Sequence, residues 1–162
     1  MKTAICPGSF DPVTYGHLDI IRRASELFEK VIVVVMTNST KSPVFTKEKR
    51  VEMLQRCTAD LPNVEVEMFD GLLADYVQEK QAAAIVKGLR AMSDFEYEFQ
   101  KALTNRKLCP QAETVFLTTK AEHMYLSSSL VRQVASLGAD ISEFVPPCIL
   151  ADILKKFGKG ES

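Results

Sequence analysis

A chain of 162 residues with 46% apolar and 25% charged side chains is long enough for one ordinary domain and apolar enough to bury a core. Its 20 Lys and Arg against 21 Asp and Glu leave a net charge of -1, which excludes the broad basic surface that duplex nucleic acid selects. No apolar run reaches the ~20 residues of a bilayer-spanning helix, and Cys6, Cys57, Cys109 and Cys148 form no Cys-x-x-Cys pair, so no membrane contact, zinc site or disulfide framework is expected, but a cytoplasmic protein with reduced thiols.

In chain order, a strand is expected at Lys2–Cys6, then the segment Pro7-Gly8-Ser9-Phe10-Asp11-Pro12-Val13-Thr14-Tyr15-Gly16-His17, then a helix starting near His17. A strand, a glycine turn and a helix start make an anion site, because the first helical turn carries unpaired N–H groups and partial positive charge. Gly8 and Gly16 are expected to let backbone approach the ligand, with Thr14 and His17 adding side-chain donors. The helix stripe Ile20, Ile21, Ala24, Leu27 and Phe28 reads as core. Val31–Met36 is an unbroken β-branched run, the mark of a strand buried on both faces, and Thr37-Asn38-Ser39-Thr40-Lys41 follows it.

A second helix carries Val51 and Leu54 inward, a third strand spans Val64–Phe69, and Asp70-Gly71-Leu72-Leu73 comes after it. A fourth strand, Ala83–Val86, leads into Lys87-Gly88-Leu89-Arg90. The next helix places Phe95, Phe99, Ala102 and Leu103 on a stripe expected to be core, while Asp94, Glu96 and Glu98 favour a helix start without sharing one face. A fifth strand at Thr114–Leu117 precedes residues 118–129, and helices are expected at about Ser128–Leu137 and Pro147–Phe157, the first capped from Ser127-Ser128-Ser129 and the last opened by proline. Residues 158–162 read as a frayed tail, leaving one domain over residues 1–157.

Strand and helix in repeated alternation imply an α/β fold, a single-domain doubly wound parallel five-stranded sheet, with ligand bound beyond the carboxyl ends of the strands. All five polar segments meet at that edge, bringing together His17, Lys41, Lys87 and Arg90 for a ligand carrying several phosphates. Taken singly, each lysine also fits a solvated loop, and one serine of Ser127-Ser128-Ser129 is explained by capping; their convergence favours phosphate binding. Neither a Walker A loop nor a Gly-x-Gly-x-x-Gly fingerprint is present.

Thr14-Tyr15-Gly16-His17 and Ser127-Ser128-Ser129 resemble the two marks of the nucleotidyltransferase superfamily. Pro7-Gly8-Ser9-Phe10-Asp11-Pro12, Pro43-x-Phe45-Thr46, Gly88-Leu89-Arg90, Asp94-Phe95-Glu96-Tyr97-Glu98 and Leu126-Ser127-Ser128-Ser129 are similar, in order and spacing, to its bacterial branch that adenylylates 4'-phosphopantetheine, over residues 2 to about 157. The resemblance implies a Rossmann-like fold and reversible adenylyl transfer from ATP, giving dephospho-CoA and pyrophosphate in coenzyme A biosynthesis, with Mg2+ and a homohexamer. It implies a transition-state role for His17, supported by Thr14, Lys41 and Arg90. It implies ATP contacts from Ser9, Phe10, His17, Gly88, Leu89, Arg90, Glu98, His123, Met124, Tyr125, Leu126, Ser127, Ser128 and Ser129, and acceptor contacts from Ser9, Lys41, Leu73 and Lys87. Lys87 stands where the branch often has Arg, which keeps the charge and loses the two-pronged fork; His123 stands where an aromatic is frequent. No metal ligand identifies itself.

Such a transfer is governed by alignment and charge neutralisation, with little covalent help from protein. An acceptor phosphate with a second pKa of about 6 attacks as an anion near neutral pH and needs no general base. Direct in-line attack is therefore expected, with His17, Lys41 and Arg90 sharing the developing charge and Mg2+ helping pyrophosphate leave. The alternatives are another nucleotidyltransferase, such as one acting on nicotinamide mononucleotide or using CTP, and a noncatalytic nucleotide-sensing module.

Overall fold

The computed structural model describes residues 2–37, 42–90 and 92–158. Its elements are β1 (Thr3–Gly8), α1 (Tyr15–Leu27), β2 (Lys30–Met36), α2 (Lys47–Cys57), β3 (Val64–Phe69), α3 (Leu73–Glu79), β4 (Ala84–Leu89), α4 (Met92–Leu108), β5 (Glu113–Thr118), α5 (Ser128–Ser136) and α6 (Pro147–Lys156), with a short 3-10 turn at Ala121–His123. The five strands form one parallel sheet in the order β3-β2-β1-β4-β5.

Strand alternation sends neighbouring residues to opposite faces, and each face has its own core. Ala4, Cys6, Val31, Val33, Val35, Ala84 and Val86 pack with Ile21, Leu54, Val131 and Ile149 of α1, α2, α5 and α6. Ile5, Ile32, Val34 and Ile85 pack on the other face with Ala74 and Val77 of α3 and with Cys109. Residues Val31 to Val35 are buried throughout, as a central strand covered on both faces requires.

The sheet reverses its order of connection between β1 and β4, and this is where it opens. Pairing of β1 with β4 is confined to Ala4↔Ala84 and Ile5↔Ile85, whereas β1 stays with β2 up to Gly8↔Val35. Past Ile5 the two strands diverge and leave a crevice at the topological switch point.

β1 therefore extends two residues past Cys6, through Pro7 and Gly8. Thr3 aims its carbonyl at β4, accepting from the Ala83 N–H at 2.8 Å. By alternation Pro7 faces the same side, where the ladder has already ended, so its missing N–H costs no inter-strand bond. β4 also runs on, as Lys87, Gly88 and Leu89 pair with Phe116, Leu117 and Thr118. Those three residues are strand rather than exit loop, and Arg90 alone of the four lies beyond it.

The helical stripes are part core and part surface. Ile20, Ile21, Ala24 and Leu54 are buried, but Leu27 at the end of α1 is exposed. On α4 the expected core stripe faces outward: Phe95, Phe99 and Leu103 are 41%, 47% and 56% exposed. Periodicity shows that these residues share a face; among the described residues no second element buries it. Phe95 instead stacks on Phe99, with centroids 5.6 Å apart, and tilts against Phe116 of the edge strand.

Candidate active site

The site begins with how α1 starts. Thr14, extended at φ -122° and ψ 171°, caps the helix, its Oγ1 accepting the His17 N–H at 3.3 Å. His17 reciprocates, its Nδ1 accepting the Thr14 N–H at 3.0 Å. This is a capping box in which histidine stands where Glu or Gln is usual. Because Nδ1 is an acceptor, the ring proton of neutral His17 resides on Nε2. Loss of water around the ring, and then the charges of Arg90 and Lys87, push the His17 pKa down to about 4. At neutral pH His17 is a fixed, uncharged N–H donor between two cations.

The loop before it is held from three sides. Phe10 has the left-handed φ of 49°, uncommon for a non-glycine residue, and its ring meets His17 edge-on with centroids 5.0 Å apart. That ring lies over Gly8, where an added Cβ would come within 2.9 Å of it; Gly8 thus makes room for Phe10 rather than for a turn. Arg50, fully buried on α2, donates to the carbonyls of Ser9 at 2.8 Å and Phe45 at 3.1 Å. Arg132 of α5 donates to the Asp11 carbonyl at 2.6 Å and to Ser129 Oγ at 3.3 Å.

The opposite wall comes from the end of β4 and the start of α5. Lys87 and Lys101 share one carboxylate, Glu98, at 3.6 and 3.7 Å. Burial lowers the Lys87 pKa from the usual lysine range, with the Glu98 charge working against it. Arg90 donates to the Leu126 carbonyl at 3.1 Å, joining β4 to the segment before α5. Of the three serines, Ser127 is the cap, accepting the Leu130 N–H at 3.1 Å, and Ser128 donates to the Pro12 carbonyl at 2.6 Å. Ser129 stands in the first turn.

These walls enclose an open cleft of about 1180 Å³ floored by Cys6, Pro7, Gly8 and Ile85. Ser9, Phe10, Thr14, His17, Leu73, Lys87, Gly88, Arg90, Glu98, His123, Leu126, Ser127, Ser128 and Ser129 all line it. Leu89, Met124 and Tyr125 do not, and the last two are about half exposed; Tyr125 lies edge-on to Phe144 instead. His123 stacks on Tyr15 with centroids 6.5 Å apart. Lys41 lies outside the described residues, as do Asn38, Ser39 and Thr40. The cleft also contains Asp11, Arg50, Lys101 and Arg132, which spacing along the chain did not single out. Arg132 and Lys101 had a readable sign, each one helical turn beyond a named residue, Ser129 and Glu98, and Asp11 sits within the first motif; Arg50 reaches the cleft through a long-range contact with Ser9 that no local pattern records.

Among the described cleft-lining residues, Arg50, Lys87, Arg90, Lys101 and Arg132 face only Asp11 and Glu98. An excess of cations with a neutral N–H donor and helix starts from both sides suits a polyphosphate. No cluster of three or more His, Cys, Asp and Glu that could hold a metal ion occurs among the described residues, and no helix there is long and apolar enough to cross a membrane.

Known proteins resemble this chain in sequence and in fold. Residues 5–134 match the cytidylyltransferase-like family. A phosphopantetheine adenylyltransferase of Caldanaerobacter subterraneus subsp. tengcongensis is 55% identical over 98% of this chain and 99% of its own; one from Alkaliphilus metalliredigens is 56% identical over 96% and 99%. In fold, the chain is similar to a putative nicotinate-nucleotide adenylyltransferase from Vibrio parahaemolyticus, with TM-score 0.71 and 21% identity over 100% and 98% of the two chains. It is likewise similar to a bifunctional NMN adenylyltransferase/ADP ribose pyrophosphatase from Francisella tularensis, with TM-score 0.71 and 18% identity over 99% of this chain and 50% of that one. The chain belongs to the cytidylyltransferase-like nucleotidyltransferases and, within them, to the phosphopantetheine adenylyltransferase enzymes.

Proposed function

We propose that the cleft transfers the adenylyl group of ATP to 4'-phosphopantetheine, reversibly, forming dephospho-CoA and pyrophosphate in coenzyme A biosynthesis. The observation that carries this reading is His17: a neutral imidazole whose Nδ1 is tied into the helix cap, leaving Nε2–H as a preorganised donor beside Arg90 and Lys87. Relatives named for this activity at 51–56% identity support it.

ATP is assigned to the side formed by Ser9, Phe10, Gly88, Arg90, Glu98, His123 and residues 126–129, with Leu89, Met124 and Tyr125 adjoining it outside the cleft lining, and the acceptor to Ser9, Lys41, Leu73 and Lys87. The acceptor phosphate attacks the α-phosphorus in line with departing pyrophosphate. The new P–O bond forms as the bond to the β-phosphate bridge breaks, and no enzyme-bound intermediate intervenes. Nε2–H of His17 donates to a non-bridging α-phosphate oxygen as its charge grows, Thr14 keeps the ring in register, and Arg90 and Lys41 contribute positive charge. A neutral donor fits a role in which no proton is exchanged.

Magnesium is proposed as the companion of ATP. The described residues offer no carboxylate cage, which agrees with an ion held mainly by phosphate oxygens and water. The outward apolar stripe of α4 supports self-association, and a homohexamer in the cytoplasm is proposed. The test is incubation with ATP, magnesium and separate phosphorylated acceptors, including 4'-phosphopantetheine, nicotinamide mononucleotide and nicotinate mononucleotide, read by product mass. Dephospho-CoA with stoichiometric pyrophosphate is expected. A different adenylylated product would move the chain to another acceptor, and nucleotide binding without pyrophosphate would make it a sensing module.

A further inference from the structure

One carboxylate near the cleft has no part in the transfer as described. Asp11 is buried, at 6% exposure, yet spends both oxygens on backbone of a segment more than thirty residues away: Oδ2 accepts the Val44 N–H at 2.8 Å and Oδ1 the Phe45 N–H at 2.9 Å. The residues just before, Ser42 and Pro43, line the cleft, and Lys41 is next in sequence. On its own side Asp11 sits within the phosphate loop, between Phe10 and Pro12, and its carbonyl is held by Arg132. The side chain therefore spans the two halves of the cleft.

We infer that Asp11 is a positioning residue for the acceptor: its carboxylate fixes the wall at Ser42–Phe45 against the phosphate loop and so sets where the acceptor phosphate stands relative to the α-phosphorus. This rests on the reading of the cleft as an adenylyltransferase. Apart from Asp11 and Arg50, which both join the halves, the contacts at hand hold each half by itself. The phosphate loop keeps Arg50 on the Ser9 carbonyl and Arg132 on the Asp11 carbonyl when the Asp11 side chain is changed, although Arg132 also stands 3.9 Å from Asp11 Oδ2 and loses that ion pair in Asp11→Asn. The start of α2 keeps its cap, Thr46 Oγ1 accepting the Lys49 N–H at 3.1 Å. Arg50 also bridges Ser9 and Phe45, but through the Phe45 carbonyl, leaving the two N–H groups to Asp11. Two charge-assisted bonds from one fixed carboxylate permit little play, and misplacement by about 1 Å in such a transfer can cost on the order of 100-fold.

Asp11→Asn keeps size and one acceptor but turns an NH2 toward the second N–H, so it loosens the wall without emptying space. Steady-state kinetics with 4'-phosphopantetheine and ATP should show KM for the acceptor raised about tenfold or more and KM for ATP changed by less than about twofold, a difference near 1.4 kcal/mol in acceptor binding. Thr46→Ala, which weakens the same helix start from the far side, is the structural control and should lower Tm with neither KM shifted. An unchanged acceptor KM in Asp11→Asn, an equal rise in both KM values, or the same acceptor shift in Thr46→Ala overturns the inference. Should Asp11→Asn not fold, hydrogen exchange of the unmodified protein decides: Val44 and Phe45 amides slow enough to report a closed clamp support it, and exchange at unstructured rates overturns it. If the unmodified protein does not adenylylate the acceptor at all, the functional reading fails instead.

Discussion

Two charge clusters in this chain follow opposite rules. Between α2 and α6, Asp152 accepts from Lys49 at 2.5 Å and from Arg56 at 3.0 and 3.2 Å, and Glu52 approaches both cations, so that two carboxylates answer two cations. The bonds from Arg56 and Lys49 pull the Asp152 pKa down to about 2. Among the described residues lining the cleft, five are cationic and two are carboxylates, and the imidazole beside them is kept uncharged. The first cluster is complete within the fold, whereas the second, on the proposed function, is completed by the phosphates of ATP and the acceptor. Neutralised charge marks structure here, and unbalanced charge marks the site.

The largest way to break that comparison is His17→Ala. Removing one preorganised donor costs roughly 100- to 1000-fold in turnover. Circular dichroism and Tm should report a folded protein, since only the histidine half of the capping box is lost. Turnover within about threefold of the unmodified protein would remove His17 from the mechanism. Next, Lys87→Ala should raise the acceptor KM about tenfold and leave the ATP KM near its starting value, measured by coupled pyrophosphate release. An equal rise for both substrates would reassign Lys87 to the shared phosphates.

The opposite cluster predicts the opposite phenotype. Asp152→Asn should lower stability by about 1 kcal/mol, because its partners are partly exposed, and leave kcat and both KM values unchanged. Loss of activity at normal Tm would show that the α2–α6 contact reaches the site.

The pH response separates the clusters further. His17 titrates near 4 in the fold against an ordinary 6.5, so the unfolded chain binds more protons in between. Its contribution to stability is whole above pH 6.5 and falls as pH drops towards 4. Asp152, held near 2 against an ordinary 3.8, adds stability above 3.8 that is lost between there and 2. Denaturant midpoints at successive pH values should show the first loss removed by His17→Ala and the second by Asp152→Asn. The smallest effect is at the serine run: Ser127→Ala should cost ~1 kcal/mol for the lost cap and Ser129→Ala close to nothing in stability.

Much of this was legible in the chain itself, and the exceptions share a cause. Val31 to Val35 are β-branched without a break, which states burial on both faces, and Thr14 to His17 name a helix start with a histidine at its third position. Those signals are local. The extension of β1 through Pro7 was not readable, because proline is tolerated only once the ladder to β4 has stopped, a fact of sheet geometry. Nor was the outward turn of Phe95, Phe99 and Leu103, since a stripe does not say what faces it. Asp11 could be seen in its motif, but not its partners Val44 and Phe45, which folding alone brings within reach.

Gly88 has a last consequence. A Cβ there would stand 2.8 Å from Cγ1 of Ile20, an atom in the middle of a branched side chain with little freedom to move aside. The separation of α1 from β4 is thus gauged by bare main chain against an isoleucine, one turn along from His17. Such a gauge has no adjustable part: a single added methyl would push the helix away and carry His17 with it, opening the gap between its imidazole and the strand that presents Lys87. The hydrogen atom at this position works as a tolerance, keeping the two sides of the reaction at their working distance.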